Sequence, residues 1–183
     1  MLIVASALLI GLFGISGISS SDGNNLRDDN DAEYQSIGTG KIVLNSDYVE
    51  ECGACHLAYP AQLLPADSWR QIMFGLADHF GENAELSVGT RDELLGYLLN
   101  QAADGPLTRR KSKLLRGLDG PPPLRITELA YFRDTHDEIP IKMVKDNPDV
   151  RSFSNCDSCH KSAARGEFDE DNVVIAGYGR WHD

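Results

Sequence analysis

The sequence contains few of the residues on which several protein classes depend. Of its 183 residues only four are cysteine, five are histidine and three are methionine, and 17 Lys and Arg stand against 28 Asp and Glu. The resulting net charge of -11 repels the phosphates of nucleic acid, so no nucleic-acid partner is expected. The length and the ordinary apolar content indicate one soluble domain or two small ones.

Charged residues are also missing from the first 18 positions, MLIVASALLIGLFGISGI, after which the chain becomes polar and acidic. This pattern predicts a signal peptide over residues 1–21 and a flexible acidic leader over residues 22–40. No basic residue precedes the apolar run and no Ala-x-Ala site follows it. Because such a run can just span a bilayer, an uncleaved N-terminal anchor is the alternative. Both interpretations place residues 41–183 outside the cytoplasm, with membrane contact only through the N-terminal segment.

The few cysteines all lie in two copies of one pattern, Cys-x-x-Cys-His. The copies are Cys52, Cys55 and His56, and Cys156, Cys159 and His160. This pattern is typical of c-type haem attachment, in which each thiol adds to a haem vinyl group and the histidine binds iron. The sequence therefore predicts two covalent haem c groups. It also predicts a mostly α fold, with short helices packed around these large apolar rings.

Two other sites could use paired cysteines. A zinc site of four cysteines would require the two pairs to meet across about a hundred residues, and it would leave both adjacent histidines without a role. A dithiol redox site is expected between a strand and a helix, and neither pair follows a strand-like pattern. Two matches that use every cysteine favour haem attachment over both alternatives.

Each haem iron has a second axial position, for which the chain offers few ligands. The candidates are His79, His136, His182, Met73 and Met143. Apolar residues at helical spacing from Trp69 to Phe80 predict a helix over residues 66–80, with His79 on its apolar face. Met73 shares that face and is interpreted as packing beside the haem. Met143 is flanked by lysines, and His182 lies in a chain terminus, so both are less suitable ligands.

A second helix with an inward histidine is predicted over residues 125–140. Leu129, Phe132, His136 and Ile139 share one face at spacings of three and four, and Pro140 ends the pattern. A core histidine bonded to a carbonyl is the alternative for both histidines. Two inward histidines match two open iron positions, so His79 and His136 are predicted as distal ligands. Sequence proximity favours His79 at the first haem and His136 at the second, while crossed pairing stays open.

Three further segments carry local signals. The segment TRDELLGYLLNQAADG, residues 90–105, predicts a helix that begins with a capping box of Thr90 and Glu93. Basic residues crowd residues 108–125, which could form a solvated loop, a docking patch or guanidinium partners for haem propionates. The segment VVIAGY, residues 173–178, indicates a short strand or an extended cover over a haem edge.

Taken with these motifs, longer stretches of the chain resemble the bacterial dihaem cytochrome c family. The resemblance extends over residues 41–181 and includes HFGENA and THDEIP, which surround His79 and His136. It implies a dihaem cytochrome c domain over residues 41–183, with both haems bis-histidine ligated. The ligands carried over are His56, His79, His136 and His160. It also implies a small periplasmic carrier that exchanges electrons with redox proteins, such as a membrane b-type cytochrome or a monohaem c-type protein.

The function expected from these observations is electron transfer rather than enzymatic catalysis. Two irons that each hold two histidines have no free coordination site for a substrate. The alternative is a dihaem peroxidase or a small-molecule reductase with one open iron. In that case His136, followed by Asp137 and Glu138, would act as an acid-base group above the iron.

Overall fold

The computed structural model describes residues 44–108 and 113–181. The predicted signal peptide or anchor, the acidic leader and His182 lie outside these residues, as do positions 109–112 of the basic stretch. None of the described helices is long and apolar enough to cross a membrane.

Short helices dominate the described residues, which confirms the mostly α fold class. The α-helices are α1 (Ser46–Gly53), α2 (Ala66–Phe74), α3 (Val88–Gln101), α4 (Ala130–Asp134) and α5 (Cys156–Cys159). Single turns of 3-10 helix lie at Ala61–Leu63, Leu76–Asp78, Lys113–Leu115, Ile126–Glu128, Ile141–Met143, Ala163–Arg165 and Glu170–Asn172. Two short strands, β1 (Val174–Ile175) and β2 (Gly179–Arg180), pair antiparallel and confirm the strand indicated near residue 174.

The larger apolar core is built where α2 packs against α3, and all of its buried residues except Leu129 come from residues 44–108, the first half of the domain. The core consists of Tyr48, Ala58, Ala61, Leu64, Trp69, Met73, Leu94, Leu98, Ala102 and Leu129. The indole nitrogen of Trp69 donates to the carbonyl of Ala61 at 2.8 Å, so the large side chain is buried without an unpaired polar atom. Met73 lies in this core, in agreement with its predicted packing role.

The second half of the domain, residues 113–181, has a much smaller core. Its buried residues are Val144, Val150, Val173 and Ile175. Asn147 is buried beside them, and its side-chain amide donates to the carbonyls of Met143 and Ala176. This half is therefore held together largely by loops and single turns around four aliphatic side chains.

The helix predicted over residues 66–80 ends earlier than its apolar pattern does. It stops at Phe74, and the backbone N–H of Gly75 donates to the carbonyls of Gln71 and Ile72. A Cβ at Gly75 would lie 3.0 Å from the Gln71 carbonyl oxygen, so the close turn favours glycine. His79 consequently follows a separate 3-10 turn and is not on the face of α2.

The helix predicted over residues 125–140 is also shorter, with only α4 in helical conformation. The hydroxyl of Thr135 donates to the carbonyls of Tyr131 and Phe132 at 3.0 and 3.1 Å. Such bonds compete with the backbone ladder and favour termination. His136 therefore lies in the turn after the helix.

The capping box predicted for α3 is wrong. The helix begins two residues earlier, at Val88, and Ser87 is its N-cap. The Ser87 hydroxyl accepts from the backbone N–H of Thr90 at 3.2 Å. Thr90 therefore lies inside the first turn, where its own hydroxyl contacts that of Ser87.

We expect Gly105→Ala to destabilise the fold by about 1–3 kcal/mol because the added methyl group has no space. A Cβ at this buried position would lie 2.6 Å from the Leu99 carbonyl oxygen and 2.7 Å from that of Asn100. Denaturant unfolding of the haem-loaded protein measures the change. Gly96→Ala is the matched control, since nothing lies within 4 Å of its added Cβ. There, replacing a helical glycine should stabilise the protein by about 0.5–1 kcal/mol. Equal effects of the two substitutions would contradict the packing argument.

Candidate haem-binding sites

The first Cys-x-x-Cys-His motif straddles the end of α1. Cys52 lies in the last turn of the helix and is half-buried, whereas Cys55 and His56 follow it and are exposed. The Nδ1 atom of His56 lies 2.7 Å from the carbonyl oxygen of Leu57, to which its N–H donates. This bond orients the ring and leaves the opposite nitrogen, Nε2, as the atom that can bind a metal.

A tight loop holds His79 opposite His56. The backbone of His79 exchanges two hydrogen bonds with Glu82, at 2.7 and 3.3 Å. Between them Phe80 and Gly81 have positive φ values of 57° and 101°. The two imidazole centroids lie 6.1 Å apart, and their planes differ by 21°.

The second motif forms α5, a single turn that contains both thiols. His160 follows it, and its backbone N–H donates to the carbonyl of Cys156 at 2.7 Å. The ring of His136 faces His160 with a centroid separation of 6.3 Å and an interplanar angle of 66°. The Nδ1 atom of His136 lies 2.8 Å from the Phe132 carbonyl oxygen and 3.1 Å from the Thr135 hydroxyl.

Both histidine separations suit two imidazoles on one iron. A metal–nitrogen bond of about 2 Å on each side, and about 1.1 Å from each nitrogen to its ring centre, give centroids roughly 6.2 Å apart. The observed values are 6.1 Å for His56 and His79 and 6.3 Å for His136 and His160. The structure thus brings each motif histidine together with the nearer of the two inward histidines predicted from the sequence.

A cavity of about 450 Å³ lies against the second pair, within the range of cofactor sites. Cys156, Cys159, His136 and His160 line it together with the aromatic rings of Phe132, Phe153 and Phe168. The Nδ1 atom of His160 is buried without a hydrogen-bond partner among the described residues. Apolar walls, two thiols and two facing imidazoles fit a haem held by thioether bonds and axial nitrogens.

Burial lowers the pKa of His79, His136 and His160 and is the largest cause of the shift for each. The electrostatic effects of the neighbouring His56 and Arg125 also lower the pKa of His79. The hydrogen bond that the His136 ring donates to the Phe132 backbone carbonyl acts in the opposite direction and raises the pKa of His136. The lowered pKa favours the neutral imidazole, which is the form that binds a metal ion.

The environment of the thiols does not support the dithiol or zinc alternatives. All four cysteines are unpaired. Burial is the main cause that raises the pKa of Cys52 and Cys156 to about 11, and it raises the pKa of Cys159 as well. A dithiol redox site depends on a lowered thiol pKa. Among the described residues no three His, Cys, Asp or Glu side chains are grouped to hold a metal ion by themselves.

The sequence profile described as dihaem cytochrome c matches residues 48–168. The chain belongs to this family. Its cofactors are accordingly two covalently attached haem c groups, as the two motifs predicted. No sequence among curated proteins matches the chain.

Solved structures of dihaem cytochromes c agree with this membership. The chain is 47% identical to a diheme cytochrome type c from Shewanella baltica OS155, with a TM-score of 0.65, and the match covers 77% of this chain and all of that one. It is 43% identical to the diheme cytochrome c from Rhodobacter sphaeroides, with a TM-score of 0.63. That match covers 70% of this chain and 99% of the other.

Part of the basic stretch lies close to the haem-binding residues. The guanidinium carbon of Arg125 is 4.0 Å from the ring centre of Phe80, next to His79. Lys113 lines the cavity at the second site, together with Glu170. Each site therefore has a nearby cation. The position of Arg125 beside Phe80 suits a guanidinium partner for a haem propionate at the first site. Arg109, Arg110 and Lys111 lie outside the described residues.

We expect Arg125→Gln to lower the potential of the first haem by on the order of tens of millivolts. A nearby positive charge stabilises the ferrous state, which carries one positive charge less than the ferric state. A spectroelectrochemical titration measures the change. Arg70→Gln alters the net charge equally on the exposed face of α2, where Arg70 pairs with Asp67, and it should have little effect. Equal shifts in both variants would contradict a local role for Arg125.

Proposed function

We propose that this protein is an electron carrier in which His56 and His79 hold one haem iron and His160 and His136 hold the other. The observation that carries the proposal is the facing of each motif histidine by a second imidazole, with centroids 6.1 and 6.3 Å apart. Haem c supplies reversible one-electron chemistry when bound. The imidazoles of His56 and His79 would hold one iron and those of His160 and His136 the other, and they would leave no coordination position for a substrate.

The second ligand also determines the range of the potentials. Histidine on both sides favours ferric iron more than a histidine and methionine pair does, so both potentials should be lower than those of a His/Met cytochrome. The described methionines lie elsewhere: Met73 is buried in the first core, and Met143 packs at the edge of the second.

The test of this proposal is the visible spectrum of the reduced protein before and after addition of carbon monoxide. Sharp c-type bands that do not change with the gas are expected for two closed irons. A clear shift of the main haem band would show an open iron and overturn the ligand assignment. Electron paramagnetic resonance adds a second test, since imidazole planes at 21° and 66° predict two distinguishable low-spin ferric signals.

The enzyme alternative has no specific support at the second site. It requires His136 to act as an acid-base group above an open iron, with Asp137 and Glu138 beside it. Instead the ring of His136 is oriented by the Phe132 carbonyl and faces His160. Both acidic residues are exposed. These contacts support a ligand role for His136.

The proposal extends to partners and location. The net charge of -11 favours a redox partner that presents a basic surface. The resemblance to the family points to a membrane b-type cytochrome or a monohaem c-type protein, encountered in the periplasm. Electron exchange with such a partner should slow as ionic strength rises, because salt screens the attraction. An electron-exchange rate that does not depend on ionic strength would argue against a partner attracted by charge. Cell fractionation tests the periplasmic location.

A further inference from the structure

The side chain of Tyr59 contacts the first haem-binding motif at His56 and the chain just before the second motif at Ser154. Its ring lies against that of His56, with centroids 5.1 Å apart and planes 29° from parallel. Its hydroxyl donates to the carbonyl of Ser154 at 2.6 Å, across 95 positions of the chain. Ser154 stands two residues before Cys156, whose sulfur is 3.7 Å from the same carbonyl oxygen.

Both ends of Tyr59 are held in place. Its backbone carbonyl accepts a hydrogen bond from the Tyr48 hydroxyl at 2.7 Å, and the next residue, Pro60, is buried. The carbonyl that receives its hydroxyl belongs to a segment with its own ties. The backbone N–H of Ser154 donates to the Ser152 hydroxyl, and the side-chain amide of Asn155 donates to the Val150 carbonyl. A link between two such anchored segments has little freedom to change length.

We propose that Tyr59 couples the two haem sites, fixing the separation of the His56 and Cys156 segments and giving electrons a short path between them through one ring contact and one hydrogen bond. This role rests on the proposed electron-transfer function. The path comprises the His56 ring, the Tyr59 ring, one hydrogen bond and the backbone from Ser154 to Cys156. One electron leaves a ferrous haem and reduces the ferric haem of the other site. No bond forms or breaks and no proton moves.

Tyr59→Phe tests the path because it keeps the ring against His56 and removes only the hydroxyl. Ser68→Ala is the matched control. It also removes a hydroxyl that donates to a distant backbone carbonyl at 2.6 Å, but that carbonyl belongs to Pro123, and neither residue is part of a haem-binding motif. The half-reduced, haem-loaded protein is used for both variants. Exchange NMR of the haem methyl resonances gives the rate of intramolecular electron exchange, and amide hydrogen exchange reports on residues 153–156.

For Tyr59→Phe we expect electron exchange between the haems to slow severalfold, with faster amide exchange at residues 153–156. Ser68→Ala should leave the electron-exchange rate within about twofold of the native value, because the hydrogen bond that it removes lies outside the proposed path. An unchanged rate in Tyr59→Phe, or equal slowing in both variants, would overturn the coupling role. A wild-type protein that binds carbon monoxide would instead count against the electron-carrier proposal, so the two failures are distinguishable.

Discussion

The double substitution Cys156→Ala with Cys159→Ala is expected to leave one covalent haem per chain and to unfold much of the second half. No thiol then remains at the second site to form a thioether. The buried core of this half has only four aliphatic residues, which is too small to order a segment of this length without the cofactor. Haem content by alkaline pyridine assay and amide hydrogen exchange over residues 144–181 measure the two effects.

The corresponding change at the first motif is the control for the structural effect. Cys52→Ala with Cys55→Ala should also remove one haem. The ten-residue core around α2 and α3 should nevertheless keep much of its protection, because it is more than twice as large as the four-residue core of the second half. Two covalent haems in either double variant would contradict the attachment assignment. Equal loss of protection in both halves would contradict the proposed difference in core size.

The second large effect is expected from removing a distal imidazole. In the native protein neither iron should bind carbon monoxide, whereas in His79→Gly one reduced iron should bind it. The same iron should be high-spin in the oxidised variant. The side chain of His79 makes no hydrogen bond with another described residue and is held by its loop and by ring contacts with His56 and Phe80. Its removal should therefore open the site without leaving a buried polar partner. Optical titration with carbon monoxide counts the open irons.

Added imidazole separates ligand loss from misfolding, since it should restore the low-spin spectrum of His79→Gly. His136→Gly should open the second iron in the same way. It also removes the hydrogen bond from the imidazole to the Phe132 carbonyl, which among the described residues keeps only a longer bond from the Thr135 hydroxyl, so a larger loss of stability is expected there. Met73→Leu and Met143→Leu are the controls and should bind no gas. A six-coordinate low-spin iron in His79→Gly without added ligand would show that another residue binds that position.

Local sequence patterns predicted the elements unevenly. The apolar periodicity that includes His79 continues past Gly75, but the helix ends there. The pattern continues because Leu76 packs onto the first core from a separate 3-10 turn. Periodicity cannot distinguish a continuous helix from two turns that face the same core. The same limit applies at Thr135, where side-chain bonds to the backbone end α4. The N-cap of α3 was predicted at Thr90 instead of Ser87 because both are good capping residues, and the sequence alone did not distinguish them.

Other features of the sites had no usable sequence signal. Tyr59 stands three residues after His56, but its partner Ser154 is 95 positions away and accepts through its backbone carbonyl. Any residue can provide such a carbonyl, so no residue type marks the contact. The proximity of Arg125 to Phe80 is also a tertiary contact. The crowded basic stretch only indicated that a cation was available.

The sequence by itself determined the cofactor, its number and its points of attachment, because each Cys-x-x-Cys-His motif places two thiols and one imidazole within five consecutive residues. It also determined the mostly α class and supplied the two histidines that could complete the irons. Only the tertiary structure decided that His79 faces His56 and that His136 faces His160. It likewise decided that Tyr59 lies against His56 and donates to Ser154, two residues before the second motif. These contacts depend on where distant segments meet, and that is set by packing of the whole domain rather than by local spacing.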